Sequence, residues 1–257
     1  MPEEKSTSDR YDSTRQAWET IWDEANVQIE LETMRSERAQ ETIQAYLPYL
    51  DREKPILEAG SGLSAVVIWL REHGYNVLGL DYAENALHIS RQYEPSLPLV
   101  AGDVHKLPFA ENSLAGYLSF GVLEHFEHGL QPGLSEAYRI LAPGGVLILT
   151  IPYPNIVWRV AQFKRQMAGQ QLIDEDFYES TYNRRELVSN VEQVGFKLAE
   201  AIPTSHSYTF WGLGGPFQAE GYYKTSALAD NLGRSAKRFA PWLFNFMTLI
   251  IAHKPDA

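Results

Sequence analysis

The sequence predicts an α/β protein: a doubly wound, mostly parallel sheet of seven strands with an N-terminal helical cap and a lid insertion before the last strand. Three observations carry this. Between Pro55 and Ile151 short apolar runs alternate with helical patterns. Those runs lack polar alternation, as strands covered on both faces do. The breaks between them hold glycine, proline or a carboxylate, the residues that end elements and shape turns.

Residues 1–10 (MPEEKSTSDR) are polar throughout and are expected to form a disordered tail. From Tyr11 to Leu47 apolar residues recur at helical spacing. Trp18, Ile21, Trp22 and Ala25 share one face, then Leu31, Met34, Ile43, Tyr46 and Leu47 follow. Two helices are expected, closed by Pro48 and Pro55, as a cap over residues 11–50.

The core is expected over residues 51–204. Pro55–Ala59 reads as a buried strand and Gly60-Ser61-Gly62 as a turn. Leu63–His73 reads as a helix stopped by Gly74, and Asn76–Asp81 as a strand ending on a carboxylate. Ala83–Tyr93 is a helix halted before Pro95, and Leu97–Asp103 a third strand, again ending on a carboxylate. Leu114–Gly121 is a strand, Leu130–Leu141 a helix, and Gly145–Ile151 a strand after the Pro143-Gly144 turn. Helices between such strands imply right-handed crossovers.

After Pro154 the rhythm loosens. Residues 155–183 read as mixed and helical, Arg184–Val194 as a helix and Phe196–Ile202 as a strand. Residues 205–243 form a lid or acceptor insertion, rich in glycine and aromatics and without a clear period. Phe244–His253 closes the sheet within a last core segment, residues 244–257. Connections this long are usually covers or binding loops.

Composition narrows the function. The 257 residues contain no cysteine, which removes disulfides, zinc ribbons, iron–sulfur clusters and a thiol nucleophile. The net charge of −11 opposes general contact with phosphate backbones, so no nucleic-acid partner is expected. The polar N-terminus has no secretory apolar run, and Trp242–Ala252 is far short of the about 20 residues that cross a bilayer. The expectation is a cytoplasmic protein without membrane contact; its oligomeric state is open.

The chemistry gathers at three strand ends, where open parallel sheets bind ligands. Gly60 and Gly62 allow a tight turn and a close ligand approach. Asp81 follows Gly60 by 21 residues, a separation at which a carboxylate accepts from ribose hydroxyls. Asp103 is placed to accept from an exocyclic amine. Singly, each glycine fits an ordinary turn and each aspartate a helix N-cap; jointly they describe a nucleoside pocket.

In this order the segments ILEAGSG (56–62), GLDYAENAL (79–87), AGDVHKLPF (101–109), SFGVLEHF (119–126) and LAPGGVLILTIP (141–152) resemble the class I S-adenosylmethionine-dependent methyltransferases. The likeness is to the type 11-like branch that mostly modifies small molecules. It covers roughly residues 40–200. It implies a Rossmann-like fold, S-adenosylmethionine as cofactor, S-adenosylhomocysteine as product, and methylation of a small-molecule acceptor at oxygen, nitrogen or carbon. It implies a cofactor site of Glu58, Gly60, Ser61, Gly62, Asp81, Tyr82, Asp103, Val104, Phe120 and Gly121. Within it, Gly60 and Gly62 would border the methionine part and Asp81 would hold the ribose. Tyr82 would flank the adenine, Asp103 would take its amino group, and Val104 would offer a backbone N–H. Phe120 and Gly121 would lie beside the sulfonium. Ser64 departs from a pattern that often has a third glycine there.

Two other readings stay open. Gly60–Ala65 also fits G-x-G-x-x-A, the fingerprint of an NAD(P)-dependent oxidoreductase. Against it stand the acid at Glu58, the likeness of residues 102–109 to an adenine loop, and the paired last strands. The other is a non-catalytic S-adenosylmethionine-binding protein.

Transfer from a sulfonium needs alignment above all, and a base only where the acceptor arrives protonated. His125 and His128, beside Glu124, are the candidate general bases; the alternative is that they orient the loop or stand in solvent. His105 and His206 are further candidates. No metal is expected, because three neighbouring polar residues rarely converge without a fourth ligand. Acceptor contacts are expected from Tyr153, His206, Tyr208, Trp211 and Tyr222, which could instead fill a satellite core. Arg184, Arg185, Lys224, Arg234, Lys237 and Arg238 could hold an acceptor anion, or form a solvated face.

Overall fold

A computed structural model describes residues 7–24, 26–168 and 179–256. Its sheet has seven strands: β1 (Ile56–Ala59), β2 (Val77–Asp81), β3 (Leu99–Ala101), β4 (Leu114–Phe120), β5 (Leu141–Pro152), β6 (Lys197–Thr204) and β7 (Met247–His253). Their spatial order is β3-β2-β1-β4-β5-β7-β6. β1 to β5 pair in parallel, and β7 runs antiparallel between β5 and β6. The doubly wound, mostly parallel sheet expected from the sequence is what forms.

Period-two alternation sends neighbouring side chains to opposite faces. Ile56, Val77, Leu118 and Ile148 pack beneath α4 (Ala65–Glu72) and α5 (Glu84–Tyr93). Leu57, Leu80, Tyr117 and Leu147 pack beneath α6 (Gln131–Ile140) and α8 (Arg184–Gln193). Burial on both faces is why these strands read as continuous apolar runs.

The N-terminal region forms three helices where two were expected: α1 (Thr7–Glu24), α2 (Val27–Thr33) and α3 (Glu37–Tyr46). Asn26 and Ser36 divide them, each accepting a backbone N–H of the next helix. Because α1 starts at Thr7, residues 7–10 are helical rather than part of a tail; residues 1–6 lie outside the described residues. Of the mixed segment 155–183, α7 (Ile156–Met167) is helical and residues 169–178 lie outside the described residues.

The insertion before the last strand holds α9 (His206–Trp211), α10 (Ala227–Phe239) and α11 (Pro241–Phe244). β5 begins before the expected Pro143-Gly144 turn, which survives as an irregularity between the Leu114–Leu141 and Gly116–Val146 pairs. Among the described residues no helix is long and apolar enough to cross a membrane.

Candidate functional site

The carboxyl ends of β1, β2 and β4 open into one cavity of about 210 Å³. It is lined by all ten residues expected at the cofactor: Glu58, Gly60, Ser61, Gly62, Asp81, Tyr82, Asp103, Val104, Phe120 and Gly121. Parallel register brings them together. Glu58 stands beside Gly79 and Ala59 beside Leu80, so the turn after β1 faces the last residue of β2.

Asp81 is buried, and each of its oxygens accepts a backbone N–H. Oδ2 takes that of Gly62 at 2.7 Å and Oδ1 that of Ala83 at 2.8 Å. The Tyr82 N–H acts on the carboxyl as well, and of its four lone pairs these donors leave acceptor capacity for a ligand hydroxyl. Burial raises its pKa, and the backbone bonds pull against that rise.

Glu58 is buried beneath the start of α4, whose N-cap, Ser64, is left-handed (φ 59°) and gives no side-chain bond to the helix. Instead Glu58 Oε2 accepts the Val67 N–H at 3.1 Å. Burial pushes its carboxyl well above the ordinary range; the Val67 bond opposes this and the nearby Asp81 adds to it.

That arrangement bears on the dinucleotide alternative. In such folds the helix amides after the glycine turn receive a pyrophosphate. Here a carboxyl already occupies that helix start, and no Lys or Arg is among the described residues lining the cavity. A second anion would meet Glu58 and Asp81 without a counter-charge.

Asp103 Oδ1 accepts the His105 N–H at 2.8 Å and lies 2.9 Å from His105 Nδ1. His105 in turn stands edge-on to Phe126, centroids 4.2 Å apart. Glu30, from α2, adds a fourth acid to the wall. Trp18 and Trp22 of α1 and Met34 close the side away from the strands.

Trp18, Trp22, Glu30, Met34 and Phe126 carried no cofactor role in the sequence reading. Two tryptophans four apart on one helical face were a legible signal, but helical spacing does not say which surface that face meets.

The candidate bases separate. His125 is buried, lines the cavity and lies edge-on to Trp18 at 5.2 Å. His128 is exposed on the turn beyond it and does not line the cavity. Glu124 is buried with Oε2 unpartnered, and burial raises its pKa well above the ordinary range.

The aromatic residues expected at the acceptor lie elsewhere than on this wall. Tyr208 stacks on Trp211 at 4.6 Å. Tyr153 stands edge-on to Trp242 at 5.8 Å. His206 is buried, donates from Nε2 to the Pro241 carbonyl at 2.9 Å, and lines a separate cavity beside α10. Tyr222 lines an open groove against α2 and α3. Of the possible anion holders, Arg234 and Lys237 pair with Glu37 and Glu41, and Arg184 lies over the Trp242 ring. Packing against each other absorbs most of these aromatics, the satellite alternative named above. Among the described residues no group of three or more His, Asp or Glu could hold a metal ion.

Residues 57–149 match the family described as a methyltransferase domain. A probable S-adenosylmethionine-dependent methyltransferase of Mycolicibacterium smegmatis is 26% identical over 170 residues, covering 66% of this chain and 62% of that protein. A demethylmenaquinone methyltransferase of Paenarthrobacter aurescens is 32% identical over 106 residues, 40% of each chain. The chain thus spans less than two thirds of the length of these relatives. Among solved structures, a complex of a methyltransferase activator with a putative methyltransferase of Haloferax volcanii superposes with a TM-score of 0.64. It is 18% identical and covers 93% of this chain and 97% of that one, a likeness of fold.

Proposed function

Because this chain carries a class I S-adenosylmethionine-dependent methyltransferase domain, we propose that it transfers a methyl group from that cofactor to a small-molecule acceptor at oxygen, nitrogen or carbon. One observation supports this above the others: a cavity at the strand ends with four acids, aromatic walls and no Lys or Arg among its described lining residues. That donor set suits a nucleoside bearing a positive charge.

When bound, S-adenosylmethionine supplies an electrophilic methyl group on a sulfonium, leaving S-adenosylhomocysteine. Asp81 would accept from the ribose hydroxyls with the lone pairs its backbone bonds leave over. Asp103 and the Val104 N–H would hold the adenine edge, with Tyr82 beside it. Gly60, Ser61 and Gly62 would admit the methionine part, and Glu58 would keep the start of α4 rigid beneath it. Phe120 and Gly121 would border the reacting end. Trp18 and Trp22 would exclude water, which strengthens every electrostatic contact inside. His125, as the candidate base that lines the cavity, would take the acceptor's proton where there is one.

The test is calorimetric titration with S-adenosylmethionine and with NAD(P)H, followed by a screen of metabolite extracts for transfer of labelled methyl. Binding of the sulfonium and labelling of a small molecule are expected. Binding of the dinucleotide alone would overturn the proposal. Binding without transfer to any acceptor would favour a sensor.

A further inference from the structure

A second cavity, of about 240 Å³, continues from the first and shares Met34, Val66, Phe120 and Gly121 with it. The shared residues lie at the end proposed for the reacting methyl group, so the second cavity is where an acceptor reaches it. The rest of its wall is largely apolar, with Ile43, Tyr46 and Met247. One cation among the described residues lines it, Arg38, which also borders the cavity beside α10 and the groove that Tyr222 lines.

Arg38 stands in the first turn of α3, half-buried, with its guanidinium carbon 4.6 Å above the Tyr208 ring. Among the described residues that guanidinium donates no hydrogen bond and has no carboxylate within ion-pair distance. The acids flanking it in sequence are engaged elsewhere, Glu37 with Arg234 at 2.6 Å and Glu41 with Lys237 at 2.8 Å. Glu30 acts on it only from beyond that distance.

A cation drawn partly out of water with only a ring face and an acid beyond ion-pair distance to answer it is costly, and an arriving counter-ion recovers that cost. The planar fork of a guanidinium matches the two oxygens of a carboxylate. A single cation on an apolar wall balances one negative charge, not two, which favours a carboxylate over a phosphate.

We infer that Arg38 anchors the methyl acceptor, and that the acceptor is an amphipathic monocarboxylate with its apolar body lying along the wall toward Phe120 and Gly121. Arg38 is then a specificity-determining residue contributed by the N-terminal helices. The inference rests on the methyl-transfer reading, which supplies the direction from which the acceptor is approached.

The test titrates the full chain, saturated with S-adenosylhomocysteine, with aryl and alkyl monocarboxylates from benzoate to octanoate, with their uncharged amides, and with inorganic phosphate. At least one carboxylate is expected to bind ten-fold or more tightly than its amide. Arg38→Met should erase that preference and Arg38→Lys should keep part of it, with S-adenosylhomocysteine affinity within two-fold throughout. Equal binding of acid and amide, absence of carboxylate binding, wild-type carboxylate affinity in Arg38→Met, or stronger binding of phosphate would each overturn it. The acid–amide comparison needs no variant, so misfolding of one leaves the result readable. Loss of S-adenosylhomocysteine binding by the unaltered protein counts against the methyl-transfer reading instead.

Discussion

Asp81 holds the turn after β1 and the start of the helix after β2 with one carboxylate, since its two oxygens accept from Gly62 and Ala83. Asp81→Asn turns one acceptor into a donor that faces a backbone N–H. Cofactor affinity should fall by about 1.5–3 kcal/mol, roughly ten-fold or more, as read by calorimetry; unchanged affinity would sink the ribose assignment. Glu58 and Glu124 set a pH dependence. Burial raises both carboxyls well above the ordinary 4.5, so the folded chain keeps protons the unfolded chain releases. Their stability contribution is therefore full below about pH 4.5 and lost as pH rises through the shifted values. Melting temperature of the ligand-free protein should decline across that window, and the decline should flatten in Glu58→Gln and Glu124→Gln. A decline of the same steepness in both variants would refute the assignment. Ionised acids attract a sulfonium, so the preference for S-adenosylmethionine over its neutral product should grow across the same window.

The turn between β1 and α4 works only with glycine at two places. Gly60 has φ +79°, and a Cβ there would lie 2.4 Å from Val122 Cγ2; Gly62 has φ +48°, with Trp22 Cζ2 at 2.6 Å. Gly62→Ala should destabilise by about 1–3 kcal/mol through strain and overpacking, seen as a lower denaturation midpoint; a neutral effect would show that Trp22 does not press on this turn. These glycines were legible because turn chemistry is local. So were the first five strands, whose apolar runs end at Gly, Pro or Asp. β3, at the sheet edge, is shorter than its apolar run Leu97–Asp103, since its pairing with β2 spans only Leu99–Ala101. Two N-terminal helices look like one in the sequence because Leu31 and Met34 before the Ser36 cap and Ile43 and Tyr46 after it share a near-helical spacing. The helices of residues 206–244 escaped because their aromatics follow contacts among themselves, such as Tyr208 with Trp211 and Tyr223, rather than a period along the chain. Arg38 escaped as well: no spacing reveals a cation that, among the described residues, has no carboxylate within ion-pair distance.

Across the molecule, the strand ends provide the acids and the N-terminal helices provide the opposite wall. Trp18 and Trp22 sit stacked at 5.4 Å on α1 while lining a cavity floored by β1, β2 and β4. Removing residues 1–24 should therefore leave the sheet's circular dichroism in place but weaken cofactor binding at least ten-fold by calorimetry. Retained affinity would show that α1 is dispensable to the site. The antiparallel pair adds an asymmetry in time. β7 is laid between β5 and β6 and is their shared neighbour, yet it leaves the ribosome after the other six strands described. Until then β6 has no neighbour to bond and β5 presents a bare edge, so the nascent chain must shelter two unpaired borders at once. Synthesis arrested just before residue 247 should yield a particle prone to self-association, whereas one arrested well beyond it should not.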